Sequence, residues 1–157
     1  MDWQRLIQFV LQGSHELEAY AILLVRIALG LFFAISGANK RFIPKQTEVM
    51  YETLVAAHVP LPRLMVYFVS TVELVGGCLL IVGLLTTLAS VALLGDMVTA
   101  ILTTNLAALP KVDSPLKWLD NFLYLPEVLY VLFFVWLICS GPGRFSVDSL
   151  IAAKLRR

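Results

Sequence analysis

Long apolar runs, each interrupted by one or two charged residues, set the rhythm of this chain. Four of them, at about residues 20–42, 64–85, 87–109 and 122–140, have lengths suited to crossing a hydrocarbon core about 30 Å thick at about 1.5 Å of helical rise per residue. The second and third follow each other almost without a connection, so they must form an antiparallel hairpin. In residues 2–12, Trp3, Leu6, Ile7, Val10 and Leu11 fall opposite Gln4, Arg5, Gln8 and Gln12, which predicts a short N-terminal interfacial helix ended by Gly13. Ser14, Glu16 and Glu18 predict the cap and first turn of the next helix. Between Arg41 and Arg63, Val49, Leu54, Val55 and Ala56 alternate with Gln46, Glu48 and Glu52. That mixture predicts a short amphipathic helix on the membrane surface, stopped by His58, Pro60 and Pro62. After Pro110 the segment KVDSPLKWLDN reads as a polar loop with Trp118 as an interfacial anchor, and after GPGR the chain reads as a short polar or interfacial tail. The expected fold class is all-α, an integral membrane four-helix bundle forming a single domain over residues 1–157.

Composition agrees with that pattern. The chain is 59% hydrophobic and 15% charged, with a mean hydropathy of +0.84, far more apolar than a soluble domain of this size. A net charge of +1 and the lack of a basic, aromatic-interleaved patch give no reason to expect nucleic acid. Cys78 and Cys139 lie inside apolar runs without C-x-x-C spacing, so neither a dithiol nor a metal site is expected. His15 and His58 lie at opposite faces and outside the spans, which excludes joint haem ligation. No nucleotide-binding glycine loop or nucleophile elbow occurs. Four spans put both termini on one face. That face carries five lysines and arginines against six on the other, and the dense basic tail favours cytoplasmic termini.

The charges inside the spans carry the chemistry. An acid in hydrocarbon must have a partner, a proton or a water-filled cavity. Depths counted from the termini face put Arg26 roughly 10 Å, Asp96 roughly 14 Å and Glu73 roughly 18 Å into the membrane, each on a different helix. Arg26, Glu73 and Asp96 are therefore expected to form a buried polar centre. That centre either locks the bundle or leaves a carboxyl able to hold a proton or a polar headgroup such as a quinone carbonyl. Asn39, Lys40, Thr103, Thr104, Asn105 and Glu127 gather nearer the other face as a second polar layer. Gly30, Ala34, Gly37, Ala38, Gly76, Gly77 and Gly83 are the small residues expected to let helices approach closely. The Gly30, Ala34, Ala38 face and the Gly76, Gly83 face are candidates for self-association or for a partner subunit.

Three patches are similar to a known family. RIALGLFFAISGANKRF resembles the R-x-x-x-G…F-x-x-x-G-x-x-K signature of the DoxX family, VELVGGCLLIVGLLT its E-x-x-G-G-x-x-L-x-x-G-x-x-T, and GPGRFSVDSLI its closing G-x-G-R-aromatic-S-x-D; VPLPRL also fits the family's loop. The matching positions are Arg26, Gly30, Gly37, Lys40, Glu73, Gly76, Gly77, Gly83, Gly143, Arg144, Ser146 and Asp148. The sequence departs from the family's pattern at Thr87, where a basic residue is frequent, and at His58, where glycine is frequent. The resemblance implies a small four-helix protein of the bacterial inner (cytoplasmic) membrane, associated with redox enzymes. Relatives include the membrane subunit of thiosulfate:quinone oxidoreductase.

The expected function is thus a membrane subunit of a quinone-linked redox system, centred on Arg26, Glu73 and Asp96 and working with a redox partner protein. Its cofactors would be a non-covalent quinone, with nothing covalently attached. One alternative is a non-catalytic scaffold that recruits a soluble redox enzyme. The other is a small solute or proton pathway, which requires a wet cavity joining the two polar layers.

Overall fold

The computed structural model describes residues 14–156 together with Trp3 and Ile7, and among the described residues it is helical without strands. Trp3 and Ile7 are helical and exposed, and the rest of the expected interfacial helix lies outside the described residues. Helix α1 (His15–Phe42) is capped by the Ser14 side chain, which accepts from the Leu17 amide. The chain continues through α2 (Pro44–Ala56), α3 (Pro62–Val82) and α4 (Thr86–Ala100). A π-helical turn, Ile101–Asn105, and a last α turn, Leu106–Ala108, extend α4. Then come α5 (Pro115–Leu123), α6 (Pro126–Ser140) and α7 (Val147–Leu155). Proline opens α2, α3, α5 and α6, where its fixed φ suits the first helical residue and its missing N–H is no loss.

Helices α1 and α3 form the most extensive contact, and glycine makes it possible. A Cβ on Gly37 would overlap the backbone of Leu74 and Ser70, and one on Gly77 would overlap the backbone of Ala34 and Gly30. Gly76 faces α4, with the Leu93 side chain 3.0 Å from where its Cβ would stand. These small residues are therefore consumed inside the chain's own bundle, and the expectation that Gly30, Ala34 and Gly76 offer a face to another subunit is corrected. Gly83 departs too: at φ +74° it caps α3. The apolar core, Phe33, Leu80, Leu93, Phe134 and Leu137, is fully buried between α1, α3, α4 and α6.

Among the described residues three helices are long and apolar enough to cross a membrane: Leu17–Phe42, Pro62–Val82 and Thr86–Ala108. The fourth span differs from the expected continuous helix over residues 122–140. The presumed polar loop contains α5, which meets α6 at a bend of 66° beside Pro126. With 15 residues, α6 rises only about 22 Å, short of the hydrocarbon thickness. The mixed segment before α3 is helical as expected, and α2 ends at Ala56 ahead of His58, whose φ of 56° is left-handed. Leu24, Phe32, Ile35, Phe68, Leu88 and Leu132 point outward, where lipid would cover them.

Candidate functional site

Arg26 does not meet the acids of the hairpin. It is 1% exposed, and its two terminal nitrogens donate to the carbonyls of Pro142 and Phe145 in the loop before α7. A Cβ on Gly83 would lie 2.8 Å from the guanidinium carbon, so this position leaves room for the charge. Asp148, on α7, completes the cluster by accepting from the Leu85 and Thr86 amides at 2.8 Å each, capping the start of α4. Partial burial alone would raise the Asp148 pKa. The amides of Thr86 and Leu85 and the charge of Arg26 outweigh it and hold the carboxyl below its usual range.

The expected Arg26–Glu73–Asp96 centre is corrected by helix register. The glycine seam pairs Gly37 with Leu74 and Gly30 with Ile81, which brings Arg26 level with Gly83 and Lys40 level with Glu73. Gly83 lies ten residues along α3 from Glu73, about 15 Å, beyond an arginine's reach. Lys40 takes the place of Arg26. Its ammonium donates to both carboxylate oxygens of Glu73, at 2.7 and 2.8 Å, and the Ser36 hydroxyl stands 3.4 Å from the second oxygen. Glu73 is 2% exposed and Lys40 opens towards the loop face.

The other half of the expected centre does assemble. Gly76 against Leu93 sets the register of the α3–α4 hairpin, and one helical turn further towards the loops Glu73 and Asp96 come level. Both line a cavity of about 180 Å³, together with Lys40, Thr103, Asn105 and Glu127. Met50, Leu54, Val69, Met97 and Ala100 supply its apolar wall. Apart from Arg26, the two polar layers are thus one site, from which Asn39 is also absent; it sits exposed near the end of α1. Three carboxyl groups share one amine here. Asp96 Oδ2 and Glu127 Oε2 are both buried with no hydrogen-bond partner.

Sequence reading missed two contributors. Ser36 lies one turn before Lys40 on the same face, a spacing that could have placed it. The π-helical turn of α4 left no signal in the hydrophobic pattern, although it carries Thr103, Thr104 and Asn105 to the cavity wall. Cys78 and Cys139 are free and exposed, and among the described residues no metal-binding cluster of histidine, cysteine and carboxylates occurs.

The DoxX family profile matches residues 21–106, more than half of the chain. This chain belongs to the DoxX family. It is similar to Uncharacterized membrane protein Rv3486 of Mycobacterium tuberculosis (strain ATCC 25618 / H37Rv), with 30% identity over 157 residues, covering 98% of this chain and 90% of that protein. No solved structure matches. As a DoxX protein, the chain shows what its signature positions do. Gly30, Gly37 and Gly77 form the α1–α3 seam, Arg26 ties the tail to α1, Gly83 and Asp148 tie it to the hairpin, and Ser146 caps α7. Lys40 and Glu73 form the ion pair at the cavity.

Proposed function

We propose that the cavity seats the polar ring of a quinone, and that this DoxX protein serves as the membrane subunit of a quinone-linked redox system in a bacterial cytoplasmic membrane. Support comes chiefly from one observation: two carboxyl oxygens, on Asp96 and Glu127, are buried unpartnered beside the Lys40–Glu73 pair. A carboxyl group that carries a proton donates a hydrogen bond, and a quinone carbonyl accepts one. The size is suitable, since an apolar cavity of about 150 Å³ admits benzene and this one measures about 180 Å³. Reducing a quinone to a quinol takes two electrons and two protons. A partner redox protein would supply the electrons, and the carboxyl groups of Asp96 and Glu127 would pass the protons. A solute path across the membrane is less well supported. On the termini side of the cavity, Phe33, Leu80, Leu93, Phe134 and Leu137 fill the bundle.

Purification in mild detergent, extraction of bound quinone and titration with a short-chain quinone test this reading. Glu73→Gln and Asp96→Asn should each lose quinone while the protein stays folded. Retention of wild-type binding by both variants overturns it. A scaffold, by contrast, would lose partner capture when loop charges are swapped and would keep it in Glu73→Gln.

A further inference from the structure

A second cavity of about 410 Å³ lies against the first, between the end of α4 and the α5–α6 bend. Asn105 and Glu127 line both. Its remaining wall includes Ala108, Asn121 and Tyr124, all on the loop face of the bundle. In the opposite direction the acid-lined cavity stops. From Asp96 towards the termini, α4 presents Leu93, Ser90 and Ala89, all buried. From Glu73 the matching residue on α3 is Leu80, with Phe134 and Leu137 of α6 beside it, each with no exposure. The bend makes the opening: α5 turns away from the line of α6 by 66° at the level of Glu127 and leaves this corner of the bundle uncovered.

We infer that the acid-lined cavity is a dead-end chamber, exchanging water, protons and small polar ligands with the loop side of the membrane alone, through a vestibule whose threshold is Glu127 and Asn105. The inference deepens the reading of the cavity as a quinone site, because it assigns the proton exchange of that chemistry to one compartment. Glu127 stands where the vestibule and the chamber meet. The charged groups of the chamber beyond it are Lys40 on α1, Glu73 on α3 and Asp96 on α4. Lys40 is itself partly exposed on the loop side, and a proton entering through the vestibule meets Glu127 before Glu73 or Asp96.

Thiol labelling tests this without any quinone, so a failure here is distinct from a failure of the quinone reading. In a Cys78→Ala, Cys139→Ala background, Ala108→Cys reports the vestibule, Ala100→Cys the chamber and Ser90→Cys the packed core. Membrane vesicles of both orientations are treated with a membrane-impermeant, charged thiol reagent. Ala100→Cys should be labelled from the same side as Ala108→Cys and from that side only. Ser90→Cys should be labelled from neither side, yet react fully once unfolded in detergent. Adding Glu127→Trp should abolish labelling of Ala100→Cys and leave that of Ala108→Cys. Labelling of Ala100→Cys from the termini side overturns the inference, as does its protection from both sides while Ala108→Cys reacts. Circular dichroism on each variant confirms that the helices are retained.

Discussion

Arg26 and Lys40 are cations on the same helix, four turns apart, and their surroundings contrast. Around Arg26 the loop before α7 folds inward to offer two carbonyls, and Asp148 spends both carboxylate oxygens on the first amides of α4. The guanidinium Nε and the Thr86 hydroxyl are left without a hydrogen-bond partner, but neither faces a cavity lined by further charges. Around Lys40, one acid is paired and two more present bare oxygens to an open cavity. A buried charge that meets carbonyls of its own chain ties segments together. Carboxyl groups that converge on a cavity in excess of their partners stabilise little by themselves and leave hydrogen-bonding capacity for a ligand. The termini-side cluster thus fastens the bundle, while the loop-side cluster keeps the hydrogen-bonding capacity on which the proposed quinone reading rests.

The largest expected effect is at the fastening. Arg26→Ala should destabilise the purified protein by roughly 2–5 kcal/mol, because two buried carbonyls lose their donors and a void opens beside Gly83. Thermal unfolding in detergent measures this, and the surviving folded fraction should still take up quinone. Next comes the ion pair. Lys40→Met leaves the buried Glu73 carboxylate alone and should cost about 2–4 kcal/mol, most of it recovered in Lys40→Met/Glu73→Gln. Additive losses would mean that the pair is not coupled, and Lys40 would then lose its place beside Glu73.

The fold was largely legible in the sequence, because hydrocarbon leaves a chain few options: apolar runs of the right length had to be helices, and Gly37 and Gly77 had to be close contacts. The pairing of the charges was legible only in part. A count of depth from approximate span ends placed Arg26 within reach of Glu73, but register is fixed by which glycine sits on which backbone atom, and a shift of one turn moves a side chain by about 5 Å. The hairpin pair Glu73–Asp96 survived that error because a short connection leaves little freedom of register. The segment over 115–123 looked like a loop because Lys117, Asp120 and Asn121 are polar, yet Pro115 and the alternation of Leu116, Trp118, Leu119 and Phe122 support an interfacial helix. Trp118 does stack on Phe122, with ring centroids 5.4 Å apart.

A smaller effect is expected where the fastening reaches solvent. Asp148→Ala removes the cap of α4 and should lower stability by about 1 kcal/mol. The folded pKa of Asp148 lies below its unfolded value, so its contribution is complete above about pH 4 and disappears as pH falls through the folded pKa. Unfolding curves for the wild type and Asp148→Ala should therefore differ at neutral pH and converge in strong acid. Divergence on acidification would show that the carboxylate is not what holds the turn.

The smallest change in stability belongs to the residues with the largest expected effect on ligand. Asp96→Asn and Glu127→Gln each exchange a carboxyl oxygen that has no partner for an amide of the same shape. Removing a buried, unpaired ionisable group relieves a desolvation penalty, so each variant should fall within about 0.5 kcal/mol of the wild type or exceed it. Glu73→Gln is the control from the paired side of the cavity, because it strands Lys40 and should lose stability where the other two do not. If Asp96→Asn unfolded as readily as Arg26→Ala, the cavity would be a second fastening and its contrast with the tail cluster would collapse. If Asp96→Asn and Glu127→Gln keep full stability and lose quinone, the bare carboxyl oxygens are held in the bundle for what they bind.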